Sequence, residues 1–243
     1  MYALFKKEIR GFFSTFTGFL VIVVFISLNS AFMWIFRGGN NIFENGYSSL
    51  DSLFSLAPWI FLFLVPAISM RMFAEERRSG TLDLLFTRPL TEWQVVSAKF
   101  LAAWVLVLIA LIPTLIYFLS VYLLGNPVGN IDSGGTWGSY IGLLFLGGIY
   151  AAVGIFSSSL TDNQIVAFVL AVVISFFFYL GFDLASTIFS NGELALVVER
   201  IGIDFHYQSI SRGVIDSRDM IYFISVVVLM LFLTRFVLLS KKW

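Results

Sequence analysis

The sequence has few charged residues, one histidine and no cysteine. Charged side chains make up 12% of its 243 residues, about half of the share that soluble domains carry. That is too little to cover a folded surface in water, which excludes a soluble enzyme, a nucleic-acid-binding protein and a disordered chain. The absence of cysteine excludes disulfides and thiolate metal sites. A single histidine, His206, argues against a haem-carrying membrane subunit.

Motifs for catalysis are also absent from the sequence. The chain has no G-x-S-x-G turn, no H-E-x-x-H helix and no paired carboxylates within a turn of its apolar segments. It has no G-x-x-x-x-G-K-[ST] phosphate-binding loop, so we do not expect it to hydrolyse ATP itself. The serine run Ser157–Ser159 is better explained by helix capping than by a nucleophile. We therefore expect a non-catalytic chain that binds no metal or cofactor of its own.

Long apolar segments are what the sequence has in abundance. Hydrophobic residues make up 59% of the chain, and 28 residues are phenylalanine. A helix that crosses a bilayer needs about 20 mostly apolar residues. The segments that qualify are about 17–36, 53–70, 101–124, 139–158, 165–189 and 220–239. We therefore predict a single all-α integral membrane domain over residues 1–243, with six transmembrane helices.

Basic residues are distributed unevenly over the predicted loops. If the N-terminus lies inside, only Arg37, Arg200, Arg212 and Arg218 of the 15 Lys and Arg residues lie outside. Because loops rich in Lys and Arg stay in the cytoplasm, we predict a multi-pass protein of the inner membrane with both termini cytoplasmic.

The first 16 residues mix apolar and basic side chains. Leu4, Phe5, Ile9, Phe12, Phe13 and Phe16 recur at helical spacing beside Lys6, Lys7 and Arg10. This pattern favours an interfacial helix on the inner leaflet over a solvated basic tail. The apolar run that follows is too long for a signal peptide and has no A-x-A cleavage site.

The connection between the second and third segments contains a short, firmly bounded helix. Gly80 is expected to end the preceding helix and Thr81 to cap a new one, with Asp83 in its first turn. Leu82, Leu85 and Phe86 share one face of this helix, and Pro89 ends it. Such a helix could dock in a groove of a cytosolic protein and carry its motion into the bilayer. The alternative is an ordinary interfacial loop helix.

The third long helix has its own start signal. Thr91 and Gln94 form a capping box, and Leu90 and Val95 are spaced as its hydrophobic staple, so this helix should begin at Glu92. Pro58, Pro66 and Pro113 predict kinks in the second and third spans.

The fourth predicted span is rich in small residues. Gly138 and Gly142, like Gly147 and Ala151, are four residues apart, and this spacing lets helix backbones approach closely. The sequence leaves open whether the partner helix belongs to this chain or to a second copy.

The segment 190–219 is too polar to span a bilayer and too apolar to be free in solution. We expect short amphipathic pieces at the outer leaflet, which form either an exit gate, a docking face or a packing lid. Candidate gate or partner contacts are Asp183, His206, Arg212 and Asp216. For Asp183 and His206, an interfacial or hydrogen-bonded role is favoured over a gate or a pH sensor.

The run E-E-R-R-S-G-T-L-D-L-L from Glu75 to Leu85, followed by Pro89 and Lys99, resembles the signature of ABC-2-type transporter permeases. Ala98 stands where that family often has glycine before the lysine. The segments from Lys6 to Phe13 and from His206 to Phe223 resemble other parts of the family. Within it, the chain is most similar to gliding-motility-associated permeases of the GldF type, with copper-site-maturation permeases as near relatives.

The resemblance implies an N-terminal elbow helix, a coupling helix at Thr81–Thr87 that contacts an ATPase, and an outer re-entrant region. The elbow helix carries Lys6, Lys7 and Arg10. The residues assigned to ATPase coupling are Glu75, Glu76, Arg77, Arg78, Gly80, Thr81, Leu82, Asp83, Leu85, Phe86 and Pro89.

The resemblance also implies partners. They are a separate ATPase that binds ATP and Mg²⁺ and a second permease copy or similar subunit. The closer similarity implies a GldA-type ATPase and a GldG-type membrane partner, which could use the acidic outer loops or the small-residue face of the fourth span.

The leading hypothesis is therefore a permease subunit of an ATP-driven ABC-2 transporter. The alternative is a mechanotransmitting membrane subunit that passes conformational change to an outer partner without transporting a substrate. An ion-coupled carrier is disfavoured because such carriers place ionisable residues deep in their spans, and the predicted spans contain almost none.

Overall fold

The computed structural model describes residues 1–82, 90–189, 192–214 and 216–240, and all regular structure in these ranges is helical. The main helices are α1 (Tyr2–Phe13), α2 (Phe16–Ser30), α3 (Ile42–Asn45), α4 (Asp51–Ser69), α5 (Arg71–Arg78), α6 (Glu92–Leu111), α7 (Leu115–Leu124), α8 (Ser133–Leu160), α9 (Gln164–Phe176), α10 (Phe182–Ser186), α11 (Gly192–Glu199), α12 (Ile203–Ile210) and α13 (Ser217–Ser240). A π-helical turn continues α2 to Ile35, another joins α9 to α10, and a 3₁₀ turn at Ile112–Thr114 joins α6 to α7.

Among the described residues, six helical stretches are long and apolar enough to cross a bilayer, which confirms the predicted all-α fold with six spans. They are Gly18–Ile35, Asp51–Arg78, Glu92–Leu124, Ser133–Leu160, Gln164–Ser186 and Ser217–Ser240, hereafter the first to sixth spans. The second span ends later and the third begins earlier than hydropathy indicates. Both therefore carry charged residues within their helices, which the sequence analysis placed in a loop.

The fourth span is the central helix of the bundle. Of its most apolar window, 78% is buried, against 22% for the first and fifth spans. Its glycines bring neighbours close: a Cβ on Gly142 would lie 2.8 Å from Ile210 Cγ2, and one on Gly154 would lie 2.8 Å from Ser69 Cβ. The small residues are thus used within this chain, which answers the question left open. The suggestion that a GldG-type partner uses this face is wrong, because the face is already covered.

Helix boundaries follow the local signals at most positions. Thr91 and Gln94 form the predicted capping box at the start of α6. Gly80 follows α5 with a φ of +67°, a conformation that ends helices and favours glycine. Pro113, where a kink is predicted, lies in the 3₁₀ turn that joins α6 to α7. Helix α4 continues through Pro58 and Pro66 without a break in its helical assignment, so the kinks predicted there stay a prediction, and the break in the helix falls at Met70.

Candidate functional site

Four elements meet at one end of the bundle, which we call the basic end. They are α1, α5, the first turns of α6 and the last turns of α8. This end leads directly into the segment 81–89, where the sequence predicts a coupling helix. Most of that helix, including Asp83, Leu85, Phe86 and Pro89, lies outside the described residues.

Two lysines and two glutamates form a closed ring of alternating charge at the basic end. Lys99 Nζ on α6 lies 2.9 Å from Glu8 Oε1 on α1 and 3.0 Å from Glu76 Oε2 on α5. Lys7 Nζ lies 2.7 Å from Glu76 Oε1 and 3.6 Å from Glu8 Oε1. We call these four residues the ion ring. It joins the N-terminal helix, the end of the second span and the start of the third.

Lys99 is the buried centre of the ion ring. Its side chain is 0% exposed, against 11% for Glu76 and 15% for Glu8. Lys99 Nζ donates hydrogen bonds to Glu8 Oε1 and to the carbonyl oxygen of Met72 at 2.6 Å. Its contact with Glu76 Oε2 at 3.0 Å is an ion pair without hydrogen-bond geometry. The Phe73 ring lies 5.0 Å from Nζ. A buried lysine is tolerated when it is paired and hydrogen-bonded in this way.

Lys7 closes the ion ring from the solvent side. Burial lowers the pKa of its ammonium, but the hydrogen bond and charge of Glu76, with a further contribution from Glu8, raise it by more. The net pKa lies above the ordinary lysine value, so Lys7 stays charged at neutral pH. Its contribution to stability is lost only as the pH rises through that raised value.

Ser158, near the end of the fourth span, contacts the second span at its interruption. Its Oγ accepts hydrogen bonds from the backbone N–H groups of Phe73 and Ala74, both at 3.0 Å, and donates to the carbonyl oxygen of Met70 at 2.7 Å. Arg77 Nη1 donates to the carbonyl oxygen of Ser159 at 2.8 Å. The serine run was expected to cap its own helix. Ser159 Oγ does donate to the Phe156 carbonyl oxygen of that helix at 2.7 Å, whereas Ser158 binds the neighbouring helix.

The residues predicted to couple to an ATPase divide into exposed and buried groups. Glu75 and Arg78 are exposed on α5, whereas Glu76 is buried in the ion ring and Arg77 is half-buried. Leu82 is half-buried and packs against the chain's own core. The Thr81 hydroxyl lies 2.8 Å from Ser79 Oγ. On α1, Lys6 and Arg10 are exposed.

Sequence reasoning missed the roles of Glu8, Lys99 and Ser158. Lys99 was noted as part of a motif, but hydropathy placed the third span after it. The available signal was the capping box at Thr91, which places Lys99 two turns inside α6 and therefore near the bundle core.

The predicted outer residues do not come together as one site. Asp183 is exposed on α10, and Arg212 Nε donates to the Gln208 carbonyl oxygen at 3.0 Å. Asp216 Oδ1 accepts a hydrogen bond from the Arg218 N–H at 2.9 Å at the start of α13.

Asp204 on α12 has a raised pKa. Burial raises it most, and the nearby charge of Asp183 adds to the rise, while hydrogen bonds from Tyr179 and Gln208 lower the pKa by less.

His206 fastens α12 to the sixth span. Its Nδ1 lies 2.6 Å from Asp219 Oδ1 and its Nε2 lies 2.9 Å from the Arg200 carbonyl oxygen. The imidazole stacks on Tyr222 with 3.9 Å between ring centroids. The interpretation of His206 as a hydrogen-bonded residue therefore agrees with its contacts.

We expect His206→Ala to destabilise the protein by about 2–3 kcal/mol, because the Asp219 carboxylate, 9% exposed, loses its partner. Unfolding of the purified protein in detergent measures this effect. Because the two side chains act as a pair, adding Asp219→Asn to His206→Ala should cost much less stability than Asp219→Asn costs in the wild-type protein. Additive effects would contradict the pairing.

A comparison with protein families identifies the chain. The family described as "ABC-2 family transporter protein" matches residues 4–211, a range that contains the ion ring, Ser158 and five of the six spans. No curated protein matches the chain. Because the family match covers most of the sequence, the chain belongs to the ABC-2 transporter family and is a multi-pass membrane permease subunit of an ABC transporter.

Proposed function

We propose that this chain couples ATP hydrolysis in a separate cytosolic ATPase to movement of its membrane helices. The single observation that supports this most strongly is the convergence of α1, α5, the third span and the fourth span at the basic end. A force applied to α5 would reach α1, the third span and the fourth span through ion pairs and hydrogen bonds that are already formed.

The ATPase contact would include the exposed face of α5. Glu75 and Arg78 are one turn apart on this helix, and both are exposed, immediately before the predicted coupling helix. Opposite charges at this spacing offer a charge pattern that a partner can match. ATP and Mg²⁺ would bind in the ATPase and not in this chain.

The ion ring would make α1 and α5 move together with the third span. Breaking a buried pair costs about 3–5 kcal/mol, so α5 would not shift without carrying Lys99 and α1 with it. Arg77 and Ser158 extend the same connection to the fourth span, which touches most of the bundle.

The wider assembly is proposed from the sequence resemblance alone. It is the gliding-motility-associated complex in the inner membrane, with both termini cytoplasmic, a GldA-type ATPase, a second permease copy or similar subunit, and a GldG-type membrane partner. Since the small-residue face of the fourth span is covered, the GldG-type partner would bind the outer loops, where Asp183 and Arg212 are available.

The test is a charge reversal on α5. We expect Glu75→Lys with Arg78→Glu to reduce the amount of ATPase that co-purifies with the tagged chain by at least tenfold, which corresponds to about 1.4 kcal/mol. Arg218→Glu, an exposed change near the start of the sixth span, serves as the control and should retain the ATPase.

Retention of the ATPase by the double variant would refute the contact at α5. If the ATPase is lost, vesicles that contain the wild-type complex separate transport from mechanotransmission. ATP-dependent movement of a lipid or solute supports transport, whereas hydrolysis with only a conformational change in the outer loops supports the mechanotransmitting alternative.

A further inference from the structure

The geometry points to Ser158 as a positioning residue: its hydroxyl forms the pivot of a hinge at Met70 that sets the direction of α5 relative to α4. This inference deepens the proposed function and rests on it for the identity of the force that moves α5. The local geometry of the hinge can be tested without the ATPase.

The second span is interrupted at one residue. Met70 keeps helical backbone angles, with φ −54° and ψ −31°, but the regular hydrogen-bond pattern of the helix is broken there, between Ser69 and Arg71. In an unbroken helix the Phe73 N–H would donate to the carbonyl oxygen of Ser69. Here it donates to Ser158 Oγ, and the Met70 carbonyl oxygen accepts from the same hydroxyl. A side chain inserted into the helical hydrogen-bond ladder is one of the identified causes of a kink.

The fourth span is shaped to bring Ser158 to this point. Gly154 lies one turn before it, and any side chain there would collide with Ser69. The absence of a side chain lets α8 approach the end of α4 closely enough for a hydroxyl to reach the backbone. Ser158 is 0% exposed, so water does not compete for the three groups that it binds.

A hydroxyl suits a pivot because it both donates and accepts, and it can rotate. The groups that it satisfies lie at the interruption and just beyond it: Met70 at the break, and Phe73 and Ala74 on α5. As α5 turns, these backbone groups can stay paired through the hydroxyl instead of becoming unpaired in the interior. The arm beyond the pivot is eight residues long.

Distance measurements between spin labels test the hinge. The chain contains no cysteine, so labels attach only where cysteines are introduced. One pair, Ser79→Cys with Phe236→Cys, reports the tip of α5 against the sixth span. The control pair, Ile165→Cys with Phe236→Cys, joins two spans that the hinge does not move. Phe236 and Ile165 are 71% and 73% exposed.

We expect Ser158→Ala to shift or broaden the Ser79–Phe236 distance by about 4 Å, the displacement of a ~12 Å arm that turns by ~20°. Ser157→Ala is the matched control, because the neighbouring Ser157 hydroxyl is buried without a hydrogen-bond partner among the described residues. It should leave both distances unchanged, and Ser158→Thr, which keeps the hydroxyl, should resemble the wild type. Equal distributions for Ser158→Ala and Ser157→Ala would overturn the inference.

A second measurement tests the hinge even if Ser158→Ala does not fold. In the wild-type chain with its ATPase bound, trapping the nucleotide-bound state should change the Ser79–Phe236 distance and leave the Ile165–Phe236 distance unchanged. No change in the first distance refutes the hinge while the coupling proposal stands. Failure of any ATPase to bind refutes the coupling proposal, and the comparison of Ser158→Ala with Ser157→Ala still decides the hinge.

Discussion

Lys99→Met is expected to lower the free energy of unfolding by about 3–5 kcal/mol and to release α1 from the bundle. The substitution keeps an unbranched side chain of similar length but removes the ammonium. Glu8 and Glu76, whose side chains are only 15% and 11% exposed, then face each other without the buried charge between them. Unfolding of the purified protein in detergent measures the loss, and proteolysis near the N-terminus reports the release of α1.

Two comparisons separate the effect of the lost ammonium charge on stability from nonspecific destabilisation by the substitution. Lys6→Met on the same helix changes an exposed lysine outside the ion ring and should have little effect. Adding Glu8→Gln and Glu76→Gln to Lys99→Met removes the unpaired charges and should recover much of the stability, because a neutral set is tolerated where a half-broken ion network is not. A Lys99→Met protein as stable as Lys6→Met would show that the ion ring does not hold these helices together.

Gly213→Ala is expected to destabilise the protein by about 2–5 kcal/mol. Gly213 has a φ of +83°, in the left-handed region that costs other residues roughly 1–2 kcal/mol. A Cβ there would also collide with the backbone of Gly135 at the start of the fourth span. Backbone cannot move aside as a side chain can, and overpacking of this kind adds about 1–3 kcal/mol.

Gly46→Ala separates the two causes. Gly46 also has a positive φ, +69°, but a Cβ there would meet nothing within 4 Å. Thermal unfolding should therefore show a small loss for Gly46→Ala and a loss at least twice as large for Gly213→Ala. Equal losses would mean that the close approach between the fourth span and the α12–α13 connection contributes nothing.

Hydropathy was sufficient to predict the six spans, because each is an apolar run that no soluble fold would bury. It placed the ends of the second and third spans wrongly, since charged residues such as Glu76 and Lys99 reduce the hydropathy of a segment whether or not they are paired. The capping box at Thr91 located the start of the third span more accurately than its apolar content did.

The contacts at the basic end could not be derived from the sequence. Lys99 and Glu8 are 91 positions apart, and Phe73 and Ser158 are 85 positions apart. Nothing in the local sequence specifies which acidic residue pairs with a buried lysine, or which backbone groups a serine hydroxyl binds. The glycines of the fourth span showed that a helix must approach closely, but only the packed bundle shows that Ser69, Ile210 and Gly213 fill those positions.

The most direct test of the coupling account is crosslinking from single introduced cysteines in a chain that has none of its own. Arg78→Cys on α5 and Arg218→Cys at the start of the sixth span are both exposed and replace the same residue type. In native membranes treated with a short bifunctional reagent, the account predicts a crosslink to an ATPase subunit from Arg78→Cys and none from Arg218→Cys. An ATPase crosslinked equally well from both positions, or from Arg218→Cys alone, would contradict it.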